Sequence, residues 1–244
     1  MRILILSDIH ANLAAFEAVM KDAQGKWDQL WFLGDLIGYG PDPNECTALM
    51  QSYDPIALSG NHDWAILGKL EIDSFNDYAK NAVLWARGVI TKESTVYLDS
   101  LPPASVPHEK VSIAHASPRQ PIWEYVLDPG TADANFEYFD TPICLVGHTH
   151  VPAVFEKTVN NRTNSAYPIY DEPWHIDDGV RRIINPGSVG QPRDSDPRAS
   201  YALLDLETMM WQHCRVPYDI ERTQKKMREA GLSDRLIARL SFGW

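Results

Sequence analysis

The stretch ICLVGHTH at residues 143–150 joins four apolar residues to a glycine and two histidines. The apolar run predicts a strand that is buried on both faces. In an extended strand His148 and His150, two positions apart, would lie on one face and be separated along the strand, and a turn at Gly147 would let both imidazoles reach neighbouring points. Two adjacent neutral imidazoles suit a pair of metal ions, whereas the alternative interpretation is a polar turn whose histidines face water.

Four other apolar runs end in residues of the same kinds. The runs occupy residues 3–6, 30–33, 55–58 and 111–114. The polar residues that follow them are Asp8, His10, Asp35, Asn61, His62 and His115. A helix capped by Asn12 is expected between the first two runs, and this strand–helix–strand spacing predicts parallel strands. The polar residues should therefore meet at the carboxyl edge of a sheet, where open α/β sheets place their sites.

The rest of the chain predicts more helices and a change to antiparallel structure. Helices are expected at 44–53, within 74–101 with a new start near Thr91, near 133–139, and at 218–240 with a break at Gly231 and a cap at Ser233. Short strands are expected at 153–159, 181–184 and 201–205, and loops at 64–73 and 160–181. Because no linker or repeat separates these elements, we expect one domain over residues 1–244.

Composition excludes several classes of protein. A net charge of −11 argues against an extended surface for nucleic acid. Three cysteines without paired spacing do not form a disulfide framework, which fits a reduced compartment. No apolar run reaches the length of a secretory signal or of a membrane span. We therefore expect a cytoplasmic protein without a membrane partner, and the sequence leaves its oligomeric state open.

The residues at the five strand ends form a set of mixed oxygen and nitrogen donors. Such a set suits Mn²⁺, Fe, Zn²⁺ or Co²⁺, whereas donors of oxygen alone would indicate Mg²⁺ or Ca²⁺. The set is too large for one ion, and two ions that share a carboxylate fit it better. Its members are Asp8, His10, Asp35, Asn61, His62, His115, His148 and His150.

These motifs resemble those of the calcineurin-like metallophosphoesterases. The similarity comprises D-x-H at 8–10, G-D at 34–35, G-N-H-D at 60–63, the histidine at 115 and G-H-T-H at 147–150. The segment N-P-G-S at 185–188 is similar to a motif of the small bacterial phosphodiesterase branch, which is related to diadenosine tetraphosphatase-like proteins. The resemblance implies an α/β fold, namely a four-layer α/β/β/α sandwich of two mixed β-sheets flanked by helices.

The resemblance also implies roles for individual residues. One metal would be held by Asp8, His10 and His150, the other by Asn61, His115 and His148, and Asp35 would bridge them. The metals implied are divalent transition-metal ions (Mn, Fe, Zn or Ni, with Mn placed first). A hydroxide between the ions would attack a phosphate ester in line. His62 would stabilise the transition state or protonate the leaving oxygen, and Asp63 would orient His62 by a hydrogen bond.

One departure from the family pattern bears on the substrate. The Ser/Thr protein phosphatase branch has an aspartate and a phosphate-binding arginine where this chain has Gly38 and Tyr39. Without that bidentate arginine, a singly charged phosphodiester is a better substrate than a phosphomonoester dianion. We therefore expect a phosphodiesterase acting on a small or nucleotide-like substrate, with Asn12, Tyr39 and Arg193 as candidate substrate contacts.

Three alternatives stay open at the level of sequence. A Ser/Thr protein phosphatase and a dinucleoside-polyphosphate hydrolase would use the same centre on other phosphates. A metal-bound scaffold subunit would not catalyse at all. Scaffold relatives are marked by lost ligands, and every expected ligand, together with His62, is present here.

Overall fold

A computed structural model describes residues 1–158, 160, 162–177 and 179–244. Within these residues, twelve strands form two six-stranded sheets. The strands are β1 (Arg2–Leu6), β2 (Gln29–Phe32), β3 (Ile56–Ala57), β4 (Ala104–His108), β5 (Val111–Ala114), β6 (Ile143–Val146), β7 (Ala153–Lys157), β8 (Thr163–Ala166), β9 (Trp174–His175), β10 (Arg181–Asn185), β11 (Ala199–Asp205) and β12 (Met210–Val216).

Eight helices lie in the described part of the chain. They are α1 (Leu13–Asp22), α2 (Pro43–Gln51), α3 (Asn61–Ile66), α4 (Asp77–Val89), α5 (Lys92–Asp99), α6 (Pro129–Asn135), α7 (Ile220–Glu229) and α8 (Asp234–Arg239). The longest of these, α4, has 13 residues. Among the residues described, no helix has the length and apolar character needed to cross a membrane.

Both sheets are mixed. The first has the order β3-β2-β1-β11-β12-β9 and the second β4-β5-β6-β10-β7-β8. As predicted, β1 and β2 are parallel, with Leu6 opposite Phe32, so the two strands end side by side. In the second sheet β5, β6 and β10 are parallel in the same way. The antiparallel strands come chiefly from the C-terminal half, in agreement with the change of character predicted beyond residue 150.

Alternation of side chains along the strands explains the layers. Ile3 and Ile5 of β1 pack with Ile143 and Leu145 of β6 in a core between the two sheets. Leu4 and Leu6 point the other way and pack against the helices outside the first sheet. Cys144 and Val146 pack outward with α6 residues in a separate core. Each central strand is therefore apolar on both faces, and the order of layers is α/β/β/α, which confirms the predicted fold class.

The helix predictions were largely confirmed, and their signals are visible in the caps. The side chains of Asn12, Thr91 and Ser233 each accept a hydrogen bond from a backbone amide in the first turn of the following helix. Helices α2 and α5 end within a few residues of the expected positions, at Gln51 and Asp99. A helix, α3, begins at Asn61 and ends at Ile66, so the first part of the loop predicted at 64–73 is helical.

Several strands differ from the predictions. The loop expected over 160–181 contains β8 and β9, while residues 161 and 178 of that stretch lie outside the described residues. The strand expected at 153–159 ends at Lys157, and its last predicted residue, Val159, is also outside them. The edge strand β4 and the long strand β12 were not predicted. Both β4 and β8 carry partly exposed, polar side chains, which removes the apolar signal on which a strand prediction depends.

Candidate active site

The carboxyl ends of strands from both sheets converge on one buried cluster. β1 is followed by Asp8 and His10, and β2 by Asp35. β3 leads into α3 with Asn61 and His62, while β5 and β6 of the second sheet are followed by His115, His148 and His150. Each of these eight side chains is at most 4% exposed. The structure thus brings together all eight strand-end residues selected from the sequence.

The first half of the cluster contains Asp8, His10, Asp35 and His150. One donor atom from each of the four lies within 4.8 Å of the others, a spacing that could hold a metal ion. The Nε2 atoms of His10 and His150 are 3.0 Å apart. Each ring directs Nδ1 to a backbone carbonyl, His10 to Ile37 at 3.3 Å and His150 to Gln191 at 2.7 Å.

The second half contains Asp35 again, with His115 and His148, at a similar spacing. His115 donates from Nδ1 to the Leu33 carbonyl at 2.9 Å, and its Nε2 lies 3.2 Å from Oδ1 of Asn61. His148 directs Nε2 to the Trp123 carbonyl at 3.2 Å, which leaves its Nδ1 for the cluster. Asp35 is therefore the residue common to both halves.

The bonding pattern fits cations. Because backbone carbonyls take the N–H of His10 and of His150, two nitrogen lone pairs face each other across 3.0 Å. Oδ2 of Asp35 is buried without a hydrogen-bond partner in the described structure. Acceptor atoms that face each other, or that are buried without a donor, are unfavourable. A metal cation at this position would bind the lone pairs of these nitrogen and oxygen atoms.

The acid–base properties of the cluster lead to the same conclusion. Burial raises the pKa of Asp8 to about 7, and burial together with the Asp63 carboxylate raises the pKa of Asp35 well above its usual range. Burial lowers the pKa values of His10, His148 and His150 well below the usual range, and the neighbouring positive groups add to this. The rings are therefore neutral, as ligands must be. Among the described residues neither carboxylate forms an ion pair with a Lys or Arg side chain, and bound cations would supply the missing positive partner.

Left-handed backbone at five residues lets the side chains converge. Asp8, His10, Asp35, His148 and His150 have φ between 51° and 63°. An L-residue in this region costs on the order of 1 kcal/mol or more, and such residues concentrate at functional sites. In G-H-T-H both histidines have this conformation, so the chain leaves the extended geometry of β6 at these residues. Both rings then lie in the buried cluster.

Gly147 has a different role from the one predicted. The turn was expected to depend on the conformational freedom of Gly147, but positive φ values occur at His148 and His150 instead. A Cβ atom at residue 147 would lie 2.0 Å from Oγ of Ser7 and 2.9 Å from Oδ2 of Asp8. Glycine is needed here because the β6 loop passes directly against the β1 loop.

The segment 185–193 fixes both of these loops. The Asn185 amide donates to the Gly147 carbonyl at 2.7 Å and to Oγ1 of Thr149 at 2.9 Å. Oγ of Ser188 donates to the Asp8 carbonyl at 2.8 Å and accepts from the Gln191 amide at 2.8 Å. The N-P-G-S segment therefore orients ligand-bearing backbone from both sheets.

His62 lies at the edge of the cluster. Its ring centroid is 5.0 Å from that of His10 and 4.3 Å from that of Tyr39. Its Nδ1 is buried and has no hydrogen-bond partner among the described residues. Burial, with Arg193 second, lowers the pKa of His62 well below its usual range, so the ring is neutral.

Asp63 does not orient His62 in the way that was predicted. Its Oδ2 accepts from the amides of Gly60 at 2.9 Å and of Asp35 at 3.0 Å, and its Oδ1 accepts from the Ile37 amide at 3.1 Å. These bonds hold the loop that carries Asp35 against the start of α3. The predicted contact fails because the carboxylate points toward backbone amides, which solvate its charge at the helix N-terminus.

The three candidate substrate contacts have different surroundings. Asn12 is 1% exposed, donates to the Gly190 carbonyl at 2.8 Å and accepts from Thr223 at 2.8 Å. These bonds and its cap engage the side chain in this structure, and a contact of Asn12 with substrate stays a prediction. Tyr39 packs its ring 4.8 Å from that of His10. The guanidinium of Arg193 lies over Tyr39 at 5.8 Å, and its Nε is buried without a partner in the described structure.

An aromatic border on the other side of the centre was missed in the sequence. Tyr125 stacks on His148 with centroids 4.0 Å apart. Phe75 lies 5.1 Å from His62 and 5.4 Å from Trp123. Trp123 and Tyr125 are 39% and 45% exposed, so part of each ring faces solvent beside the cluster. No spacing or motif links these three residues, and proximity to the histidines becomes visible only after folding.

Comparison with known proteins supports this interpretation. The calcineurin-like phosphoesterase superfamily domain matches residues 1–209. An uncharacterized protein of Methanocaldococcus jannaschii is 38% identical over 246 residues, covering 99% of this chain and 98% of that protein. A metallophosphoesterase from Sphaerobacter thermophilus has 46% identity and a TM-score of 0.90, with coverage of 100% and 99% of the two chains.

A more distant structure agrees in fold. A hypothetical protein from Pyrococcus horikoshii gives a TM-score of 0.78 at 20% identity, over 100% of this chain and 98% of that one. The chain belongs to the calcineurin-like phosphoesterase superfamily, as its motifs predicted. It is a metallophosphoesterase, a hydrolase of phosphoric ester bonds, whose family implies divalent metal ions. The Asp and His groups described above could bind such ions.

Proposed function

We propose that the chain is a two-metal phosphodiesterase acting on a small, nucleotide-like substrate. The observation that carries this proposal is the pair of donor groups that share Asp35. One ion would be held by Asp8, His10 and His150, and the other by Asn61, His115 and His148. Asp35 would bind both ions, and manganese is the first candidate metal. Because the groups come from two sheets that share one core, residues 1–244 would act as one domain.

The chain's own residues would position and protonate the substrate. Two bound divalent ions supply an activated water and neutralise charge on phosphoryl oxygens. His62 lies beside the cluster and, neutral, would donate a hydrogen bond to the phosphoryl group. It would give a proton to the leaving oxygen as an imidazolium, a form that the negative charge of a bound phosphate favours. Asp63 would act as a positioning residue, because it holds the backbone of Asp35.

The guanidinium of Arg193 beside the centre supports a diester. Arg193 contacts Gln191 through Nη2 at 2.9 Å and leaves Nε without a partner among the described residues. Tyr39, in the place of the arginine of the protein phosphatase branch, supplies no charge. One guanidinium complements the single negative charge of a diester, whereas a phosphomonoester dianion would need more donors.

The aromatic border supports a substrate with a planar group. Trp123 and Tyr125 present partly exposed rings next to His148. Stacking of a base on an aromatic ring contributes about 1–3 kcal/mol and tolerates any base. A nucleoside or other aryl group attached to the scissile phosphate would therefore be bound at this border.

A hydrolysis panel tests the proposal. Protein loaded with Mn²⁺ would be assayed on bis(p-nitrophenyl) phosphate, p-nitrophenyl phosphate, a dinucleoside polyphosphate and a phosphoserine peptide. We expect kcat/KM to be highest for the diester by at least about tenfold. A preference for the dinucleoside polyphosphate or the phosphopeptide would assign one of those activities instead. Two bound metals without turnover of any substrate would leave the non-catalytic scaffold.

A further inference from the structure

A cavity lies beside the metal cluster, and one residue, Tyr39, contacts both. Its volume is about 440 Å³. Tyr39 lines this cavity and also packs its ring against His10 and His62, at 4.8 and 4.3 Å between centroids. One opposite wall comes from the start of α4, with Asn76 and Tyr78. The other comes from α8 and the residues after it, with Arg235, Arg239 and Trp244. The Tyr39 ring is therefore a wall between the cavity and the cluster.

The cavity carries positive charge that no Asp or Glu side chain of the described residues balances. Several surface arginines of this chain do pair with Asp or Glu, as Arg119 and Arg222 do. Within the described residues, Arg193, Arg235 and Arg239 form no ion pair with an Asp or Glu side chain. Arg239 is bound through Nε to the backbone oxygen of Trp244, the last residue of the sequence. This concentration of cations without an Asp or Glu partner occurs in a chain whose net charge is −11, so it is not a consequence of a basic composition.

The three guanidinium groups also act on one another. Burial, followed by the charge of Arg193, lowers the pKa of Arg239 to about 10. Like charges brought together in a partly buried place are unfavourable unless an anion joins them. Arginine is the residue best suited to bind phosphate, because its planar fork makes paired hydrogen bonds with two oxygens.

The aromatic rings of the cavity add a second kind of contact. The guanidinium of Arg235 lies 5.3 Å from the centroid of the Tyr78 ring, which holds the side chain over the cavity. Tyr78 is 40% exposed and Trp244 is 61% exposed. The cavity therefore offers both guanidinium donors and flat apolar surfaces to one ligand.

We propose that this cavity, named here the Arg235–Arg239 subsite, binds a second phosphate group of the substrate while the scissile phosphate lies at the metal cluster. The proposal rests on the proposed phosphodiesterase function and deepens it. The preferred substrate is then a nucleotide-like diester that carries a further, non-scissile phosphate. Tyr39 separates the two phosphates, and Arg193 lies between the subsite and the cluster.

Two chromogenic diesters that differ by one phosphate test the subsite. The first is the 5′-(p-nitrophenyl phosphate) of thymidine, and the second is the same compound with a 3′-phosphate. We expect the Mn²⁺-loaded protein to prefer the second by at least about tenfold in kcat/KM, mainly through KM. In the double variant Arg235→Gln, Arg239→Gln this ratio should fall to within about twofold of one. Arg228→Gln, an exposed arginine on α7, is the matched control and should keep the preference.

A ratio near one in the unaltered protein, or equal losses on both diesters in the double variant, would overturn the subsite. Since Arg239 contacts the backbone oxygen of Trp244 and its replacement could perturb folding, the single variant Arg235→Gln and the charge-preserving Arg239→Lys are measured beside it. Arg235→Gln should lower the ratio at least threefold, and Arg239→Lys should retain most of it.

Binding separates failure of the subsite from failure of the proposed function. If neither diester is hydrolysed, the phosphodiesterase proposal fails, but the subsite is still tested by calorimetry with thymidine 3′,5′-bisphosphate and thymidine 5′-phosphate. The bisphosphate should bind at least tenfold more tightly to the unaltered protein, and this advantage should be lost in the double variant. Equal affinities of the unaltered protein for the two nucleotides would exclude the subsite.

Discussion

The Nε2 atoms of His10 and His150 lie 3.0 Å apart, although both residues use Nδ1 to donate to a backbone carbonyl. Two lone pairs held at this distance repel each other, and a cation between them reverses the sign of the interaction. Metal binding should therefore stabilise the fold as well as supply the chemistry.

The first prediction concerns this stabilisation. Addition of Mn²⁺ to chelator-treated protein at about one hundred times its Kd should add about 2.7 kcal/mol per site, and so about 5.4 kcal/mol for two sites, to the free energy of unfolding. For a chain of this size, the increase in Tm should be about 10–20 °C. Differential scanning calorimetry measures it. The exposed His175 gives a control, His175→Gln, which should show the full increase; the same increase in His150→Gln would contradict the assignment of His150.

The second prediction separates the shared ligand from the others. Asp35→Asn should lower the metal content from two ions per chain to less than one, because Asp35 belongs to both donor groups. His150→Gln should lower it to about one. Inductively coupled plasma mass spectrometry of the dialysed proteins gives the stoichiometry. Equal losses in the two variants would show that Asp35 does not lie between two ions.

The third prediction concerns His62. His62→Asn should lower kcat about 10²–10⁴-fold, because the variant loses an imidazole placed to donate a proton. The metal content should stay at two ions, since His62 is outside both donor groups. Steady-state kinetics and metal analysis are made on the same preparation. Near-normal turnover would remove His62 from the mechanism.

The fourth prediction tests the close approach of the two ligand loops. Gly147→Ala should lower the free energy of unfolding by about 1–3 kcal/mol, because its Cβ would meet Oγ of Ser7 at 2.0 Å. Gly88→Ala in α4 has open space and should be neutral or stabilising by up to about 1 kcal/mol. Urea unfolding measures both variants. Equal stability of the two would show that the loops can move apart without cost.

The fifth prediction concerns a histidine outside the centre. Burial lowers the pKa of His213 to about 4, and its ring accepts from the Trp211 indole at 3.0 Å and donates to the Asn185 carbonyl at 3.0 Å. The neutral ring contributes stability that is complete above the unfolded pKa of about 6.5 and is lost as the pH falls toward 4. Between pH 7 and pH 5 the unaltered protein should therefore lose about 2 kcal/mol more than His213→Gln.

Urea unfolding at the two pH values measures this difference. His175→Gln is the control, because His175 is exposed at the edge strand β9, and its pH dependence should match that of the unaltered protein. Parallel losses in His213→Gln and the unaltered protein would contradict the account given for His213.

The sequence predicted the structure well where the pattern of residues along one segment matches what the whole fold requires of that segment. The apolar runs ending in Asp, His or Asn predicted both the strands and the cluster, because a buried parallel strand needs apolar residues on both faces and ends at the site. Asn12 shows the limit. The same residue type suits a helix cap and a substrate contact, and only the fold shows that its amide faces the Gly190 carbonyl.

Other features depend on contacts between distant segments. The aromatic border joins Phe75, Trp123 and Tyr125, which no periodicity relates. The Arg235–Arg239 subsite was also not predicted, because an exposed arginine near the end of a helix is ordinarily solvated. The polar strand β8 was predicted as loop, since hydrogen bonding to β7 determines its conformation and an edge position does not require apolar side chains.

The bracing of the β1 loop by the segment 185–193 has a consequence for biosynthesis. Ser188 donates a hydrogen bond to the Asp8 carbonyl, and the two residues are 180 positions apart in the chain. At synthesis rates of about 5–20 residues per second, roughly 10–40 s pass between translation of the two segments. During that interval the loop that carries Asp8 and His10 lacks the hydrogen bond from Ser188. The complete geometry of the ligands is therefore reached only after segment 185–193 has been translated.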